Sequence, residues 1–529
     1  MHRLFPHAGP GSETDLVQTL QPQEIPSFIG GGDLPTQGIR NLNHLLHLFG
    51  IAGRELPFAD EEGVLRGNGE VNEAFHIFSL GCDEQMWDSE GKEADNHVVQ
   101  KLLSGYPEFF HDQRRLGRDV ILTLRVPNPG IERDMRKSMV EALQSVPSAR
   151  DVAHSFYGGV DDDAAPIQEV ILPFTTSAEE ISLVEAYYRK IIVGQEASSL
   201  LDGRRVKDWV GEFFPKSLRV IPLFEDIEHL FHCDHIVEEY LQGRDLPGQR
   251  VFLARSDPAL NYGVVAAELA LKVALVRLHD LESSLSMPIY PIIGVGSVPF
   301  RGHLTPTNVD RALREYPSVH TFTVQSAFKY DYDIDSVRDG IAELRAHEPR
   351  DPVRIDQARA REVIDKTTVE YQARVRDLLE AITSVARHVP RRRARKLHVG
   401  LFGYGRTLGG LGGATLPRAI GFAASLYSIG VPPEILGLAA LDEDDLAFVR
   451  EACPSLDEDL RAALRFTNER HVKDLLGDEY IRIVARFTDE IDRVHEGLTS
   501  AIWAGISQDA SGNIPHYVEE AAHLRRFLG

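Results

Sequence analysis

The sequence predicts an α/β fold, a (β/α)8 TIM barrel with further helices inserted and appended. Three observations predict it. Short apolar runs alternate with longer amphipathic segments, as in βα units. About eight such runs occur, the number that closes a (β/α)8 barrel. Their apolar character is continuous, as expected of parallel strands covered on both faces.

Taken in order, residues 1–60 are irregular, with the Gly-rich "IGGGDLPTQGIRN" ahead of a short helix-like piece. Strands are expected at 73–80 (EAFHIFSL), 119–126 (DVILTLRV), 169–174 (EVILPF), 218–224 (LRVIPLF), 250–254 (RVFLA), 289–295 (IYPIIGV), 320–325 (HTFTVQ) and 397–402 (LHVGLF). Between them, 177–194 and 263–284 place apolar residues at helical spacing. The insert at about 335–390 is also helical and is expected outside the ring. The expected organisation is an N-terminal segment (1–60) contributing to the site, a barrel (61–430) and a helical region (431–529) packed on it.

The chain has 529 residues, 43% hydrophobic and 26% charged, enough to bury a large core. A net charge of −23 disfavours a nucleic-acid surface, which wants clustered cations. Three cysteines imply no disulfide framework. Neither a secretory leader nor a membrane-length apolar stretch is evident, so the cytoplasm is the expected location.

Active sites of barrel enzymes sit at the carboxyl ends of the strands. Here those ends read "GCDEQMWD", "RVPNP", "TTSAEE", "EDIEH", "RSDPALNYG", "GVGSVPFRG", "QSAFKYD" and "GYGRTLGG". Lone acids mixed with lone arginines around one ring suit a metal and an anionic substrate. Glu225 and Asp257 end adjacent strands, and two carboxylates supplemented by water suit Mg²⁺. The competing reading makes Asp257 a helix N-cap and Glu225 a surface acid. Six glycines around Arg406, then Arg418 at a helix start, suit a phosphate or equally a plain surface loop. "GVGSVPFRG", carrying Arg301, has the same two readings. In "HLFHCDH", His229, His232 and Cys233 would share a helix face, as zinc ligands or as solvated residues. "RRRARK" reads as a basic tract or a solvated approach to a strand.

In this order, "GCDEQMWDSEGKEADNHVV", "LTLRVPNP", "FYGG", "EVILPFTTSAEE", "VIPLFED", "RVFLARSDPALNYG", "PIYPIIGVGSVPFRG", "YPSVHTFTVQSAFKYD" and "KLHVGLFGYGRT…LPRAI" closely resemble the archaeal-type phosphoenolpyruvate carboxylases. The resemblance covers about 70–430. It implies a Mg²⁺- or Mn²⁺-dependent conversion of phosphoenolpyruvate and bicarbonate to oxaloacetate and phosphate, through carboxyphosphate and an enolate, in a homotetramer. By similarity Glu225 and Asp257 are the metal ligands, and Arg406 and Arg418 bind the substrate phosphate. Arg125 steadies the transferring phosphoryl group, and Arg301 holds bicarbonate and then CO₂. The family's Thr-Gln-His-Pro-Asp-Asn motif is altered. Thr36, Gln37 and Asn41 match, but Gly38 replaces the histidine, with His44 and His47 a few residues on. That change leaves open hydrolysis of phosphoenolpyruvate to pyruvate, or a non-catalytic anion-binding relative.

Overall fold

Among the described residues, seven strands form one all-parallel sheet in sequence order, β1 (Glu84–Asp88), β2 (Ile121–Arg125), β3 (Ile167–Leu172), β4 (Arg219–Phe224), β5 (Gln249–Ala254), β6 (Ile289–Gly294) and β7 (Thr321–Thr323). The computed structural model describes residues 58–59, 64–89, 95–159, 165–391, 416–508 and 511–529. The stretch 397–402, expected to be the eighth strand, therefore lies outside the described residues, as do Gly38, His44, His47 and Arg406.

One expectation is corrected. Residues 73–80 are not a strand but most of a helix, α1 (Asn68–Ser79). Val71, Ala74, Phe75 and Phe78 are buried at helical spacing, while Glu70, Glu73 and His76 are buried beside them. A short apolar run does not by itself distinguish a buried helix from a strand. The true first strand is "EQMWD", which had read as a loop.

Alternate side chains of each strand face opposite sides. Val170, Val220, Phe224, Val251, Leu253 and Ile293 join the large core shared with the surrounding helices. Ile171, Ile221, Leu223, Phe252, Ala254 and Ile292 form a separate cluster, with Met86 against it. This second set spans β1 to β6, so the sheet curls around it.

Below that apolar layer lies a charged floor. Arg250 on β5 donates to both carboxylate oxygens of Glu84 on β1 (3.1 and 2.6 Å) and to Glu169 on β3 (2.7 Å). Side chains four strands apart can meet only across the inside of a curled sheet. Burial works against the Arg250 cation, but Glu84 and Glu169 overcome it and hold its guanidinium above the ordinary arginine range.

Outside the sheet, α2 (Ser256–Tyr262) runs almost directly into α3 (Val264–Leu285), whose stretch Val264–Val276 is mostly apolar and buried on every side. A helix of that kind needs cover on every side. α4 (Gln357–Asp377), from the expected helical insert, packs against both, and the Tyr371 hydroxyl donates to the Leu260 carbonyl (2.7 Å). Past α5 (Ala419–Ser428) the described chain is helical to Arg525 apart from short turns and loops.

Candidate active site at the strand ends

The parity that puts Ile221 and Leu223 inside the curled sheet puts Glu225 there too, one residue beyond the Phe224–Leu253 pair joining β4 to β5. Glu225 is 7% exposed, so the surface-acid reading fails. Its Oε2 accepts the Phe174 N–H (2.8 Å). Phe174 holds a left-handed backbone (φ 51°), a costly conformation for a bulky residue and one concentrated at functional sites. The surroundings enforce it. The Asn128 amide donates to the carbonyls of Pro173 (3.0 Å) and Phe174 (3.3 Å), and the Thr175 hydroxyl bonds the Leu172 carbonyl (2.8 Å). Loop residues after β2 and β3 thus aim the acid of β4.

Asp257 sits in the first turn of α2, directly after β5. The residue at the cap position is Arg255, and no side chain caps this helix, so the N-cap reading of Asp257 also fails. Glu225 and Asp257 offer an oxygen-only donor pair that fits a hard divalent cation completing its shell with water and substrate oxygens. No group of three or more His, Cys, Asp or Glu gathers as a metal cluster among the described residues. In particular, His229, His232 and Cys233 do not share one helix face. The chain breaks at His232 between Ile227–Phe231 and Cys233–Leu241, the His229 Nδ1 lies 2.5 Å from Asp226, and Cys233 is buried beside the Ala274 carbonyl.

Arg125 ends β2 in register with Asp88, which ends β1. The pair is bidentate, Nε to Oδ1 at 3.0 Å and Nη2 to Oδ2 at 3.1 Å, which fixes the plane of the guanidinium.

Arg301 follows β6 on a tight turn and is 6% exposed. It donates to the Ser256 hydroxyl (3.1 Å), the Gln325 side-chain oxygen (2.6 Å) and the Gly529 carbonyl (3.0 Å). Ser256 and Gln325 are neutral, the Gly529 oxygen belongs to the last residue of the sequence, and no described Asp or Glu side chain lies in salt-bridge contact with Arg301. Burial brings its guanidinium down to about 10, with Asp257 opposing that fall and Arg255 adding to it. At neutral pH Arg301 therefore remains a buried cation. Gly302 closes the turn at φ 105°, and a Cβ there would stand 2.6 Å from Val295.

Arg418 occupies the N-cap of α5, where the first peptide N–H groups favour an anion. No described side chain pairs with it. α5 packs against α2, and the Phe422 ring lies 5.5 Å from that of Phe300, the neighbour of Arg301. The structure thus brings Asp257, Arg301 and the α5 terminus into one neighbourhood, with Glu225 on the strand beside β5 and the Asp88–Arg125 pair on β1 and β2. The sequence by itself does not single out Asp88, Phe174, Ser256 or Gln325. Asp88 and Gln325 do stand in the strand-end stretches; Phe174 and Ser256 matter only through contacts that the sequence does not display.

A family model described as phosphoenolpyruvate carboxylase matches residues 54–529. A phosphoenolpyruvate carboxylase of Methanothermobacter thermautotrophicus is 47% identical over 475 residues, covering 89% of this chain and 96% of the relative. Those of Halobacterium salinarum and Pyrococcus abyssi are 46% and 45% identical, each over 90% of this chain and 96% and 97% of their own lengths. With the family model spanning most of the sequence and relatives aligned almost end to end, the chain belongs to the phosphoenolpyruvate carboxylase family.

Proposed function

We propose that this chain catalyses the reaction for which its family is named, joining phosphoenolpyruvate and bicarbonate into oxaloacetate and phosphate. The observation that carries the reading is Arg301, a buried guanidinium still charged at neutral pH, standing beside Asp257 just past β6 with no described Asp or Glu in salt-bridge contact. Such a cation suits an anionic substrate. A bicarbonate oxygen attacks the phosphoryl phosphorus and the bond to the enol oxygen breaks, giving carboxyphosphate and the enolate of pyruvate. Carboxyphosphate then splits into CO₂ and phosphate, and the methylene carbon of the enolate attacks CO₂.

In this scheme Arg125, its plane fixed by Asp88, faces the phosphoryl oxygens, over which charge spreads in the transition state. Arg301 holds bicarbonate and then CO₂. Arg418 and Arg406 bind the substrate phosphate. Glu225 and Asp257 hold the divalent ion, Mg²⁺ or Mn²⁺, which when bound supplies Lewis-acid stabilisation of the enolate charge. In this scheme residues 61–430 carry the barrel and the region 431–529 packs on it. We assign the assembled enzyme to the cytoplasm as a homotetramer. Among the described residues no single helix is long and apolar enough to cross a membrane.

Purified protein given phosphoenolpyruvate, bicarbonate and Mg²⁺ should form oxaloacetate, trapped as malate by malate dehydrogenase and NADH, in step with phosphate. Phosphate released with no trapped malate refutes the proposal.

A further inference from the structure

The turn that presents Arg301 is gripped by its main chain. The Phe300 N–H donates to Glu434 Oε1 (2.6 Å), and the Phe300 carbonyl accepts from Arg255 Nη1. A second nitrogen of Arg255 reaches the Pro299 carbonyl (3.4 Å). Phe300 is therefore held at both its N–H and its carbonyl by buried side chains, each 2% exposed or less.

Each jaw is braced in turn. Arg255 donates through Nε to Glu268 (2.7 Å), whose two oxygens accept the Tyr316 hydroxyl at 2.8 and 2.7 Å. Glu434 accepts the Tyr427 hydroxyl (2.7 Å) from α5, the helix that begins at Arg418. Glu434 itself lies in the short turn Pro433–Ile435, just beyond α5. The Arg301 turn and the Arg418 helix are thus tied to one carboxylate, and the Phe300 and Phe422 rings pack across the same seam.

We propose that Glu434 and Arg255 are positioning residues for Arg301, fixing the Pro299–Arg301 turn so that the guanidinium stays beside Asp257. This rests on the carboxylase reading given above. Burying a carboxylate among apolar neighbours is costly. The return is a rigid turn, whose displacement by as little as ~1 Å can cost a reaction about 10²-fold.

The test compares Glu434→Ala and Glu434→Gln with the wild type, alone and with Arg301→Lys. Glutamine keeps an oxygen acceptor for the Phe300 N–H and the Tyr427 hydroxyl; alanine keeps none. Glu434→Ala should raise the KM for bicarbonate about tenfold, leave the KM for phosphoenolpyruvate within about twofold, and lower oxaloacetate formed per phosphate released. Glu434→Gln should restore all three. In the Arg301→Lys background Glu434→Ala should add little, because Glu434 acts through the Arg301 guanidinium, which that background already lacks.

Hydrogen–deuterium exchange of peptides spanning 295–305 should show protection lost in the alanine variant and regained with glutamine. A folded Glu434→Ala protein with wild-type bicarbonate KM, coupling and exchange overturns the inference, as do effects of Glu434→Ala and Arg301→Lys that simply multiply. A wild type that forms no oxaloacetate overturns the carboxylase reading instead; the exchange result then decides alone whether the clamp holds the turn.

Discussion

Replacing Arg250 by methionine removes the only cation in contact with Glu84 among the described residues and leaves its carboxylate in the charged floor with the Thr123 hydroxyl. Glu169 fares better because Arg219 still reaches it at 3.2 Å. Breaking a buried pair from one side costs about 3–5 kcal/mol, chiefly because the remaining charge is stranded. The Glu84 side chain retains 22% exposure and some hydration, which places Arg250→Met at the low end, about 3 kcal/mol. Equilibrium urea unfolding followed by circular dichroism measures it as a fall in midpoint at unchanged slope. Adding Glu84→Gln removes the stranded charge, so the double variant should recover about 1–2 kcal/mol of the loss. A single-variant cost below about 1 kcal/mol, or no recovery in the double, refutes the view that the pair is electrostatically isolated.

Burial pushes the Glu434 carboxyl up to about 7 from 4.5, against the opposing Tyr427 and Phe300 hydrogen bonds and the Arg255 charge. The folded state therefore keeps a proton that the unfolded state has released, and its stability falls as pH rises through that window. At ~1.36 kcal/mol per pH unit, Glu434→Gln should gain about 3 kcal/mol on the wild type between pH 4.5 and 8, and a pH-independent difference defeats this reading. Glu225→Gln should keep the fold, weaken Mn²⁺ binding measured by paramagnetic resonance, and lower kcat about 10³-fold; wild-type Mn²⁺ affinity would remove Glu225 from the metal site. Gly38→His, restoring the family's histidine, should raise oxaloacetate turnover by up to about 10²-fold, whereas an unchanged rate would show that the proton is handled elsewhere.

Much of the architecture is legible because β3 to β6 bury both faces, so stretches such as Val251–Leu253 announce themselves as apolar runs. The position of Glu225 is readable for the same reason: Ile221 and Leu223 set the parity that carries it inward. β1 was hidden because its inward residues include Glu84 and Asp88, whose partners sit on β2 and β5. Without those partners a strand reading "EQMWD" looks like loop. α1 misled in the opposite way, since its nearly complete burial erased the polar face that marks most helices. Arg301 and Asp257 stand out as lone charges at strand ends. Glu434 does not, since its meaning is the Phe300 N–H, 134 residues earlier in the chain.

The charged floor also governs traffic. Glu84, Glu169 and Arg250, locked together beneath the Ile171–Phe252 layer, fill the described curl of the sheet at the end away from the strand-end residues. In the proposed reaction, CO₂ set free beside Arg301 has this floor on one side and the enolate alongside. Its capture then competes with escape towards the strand ends.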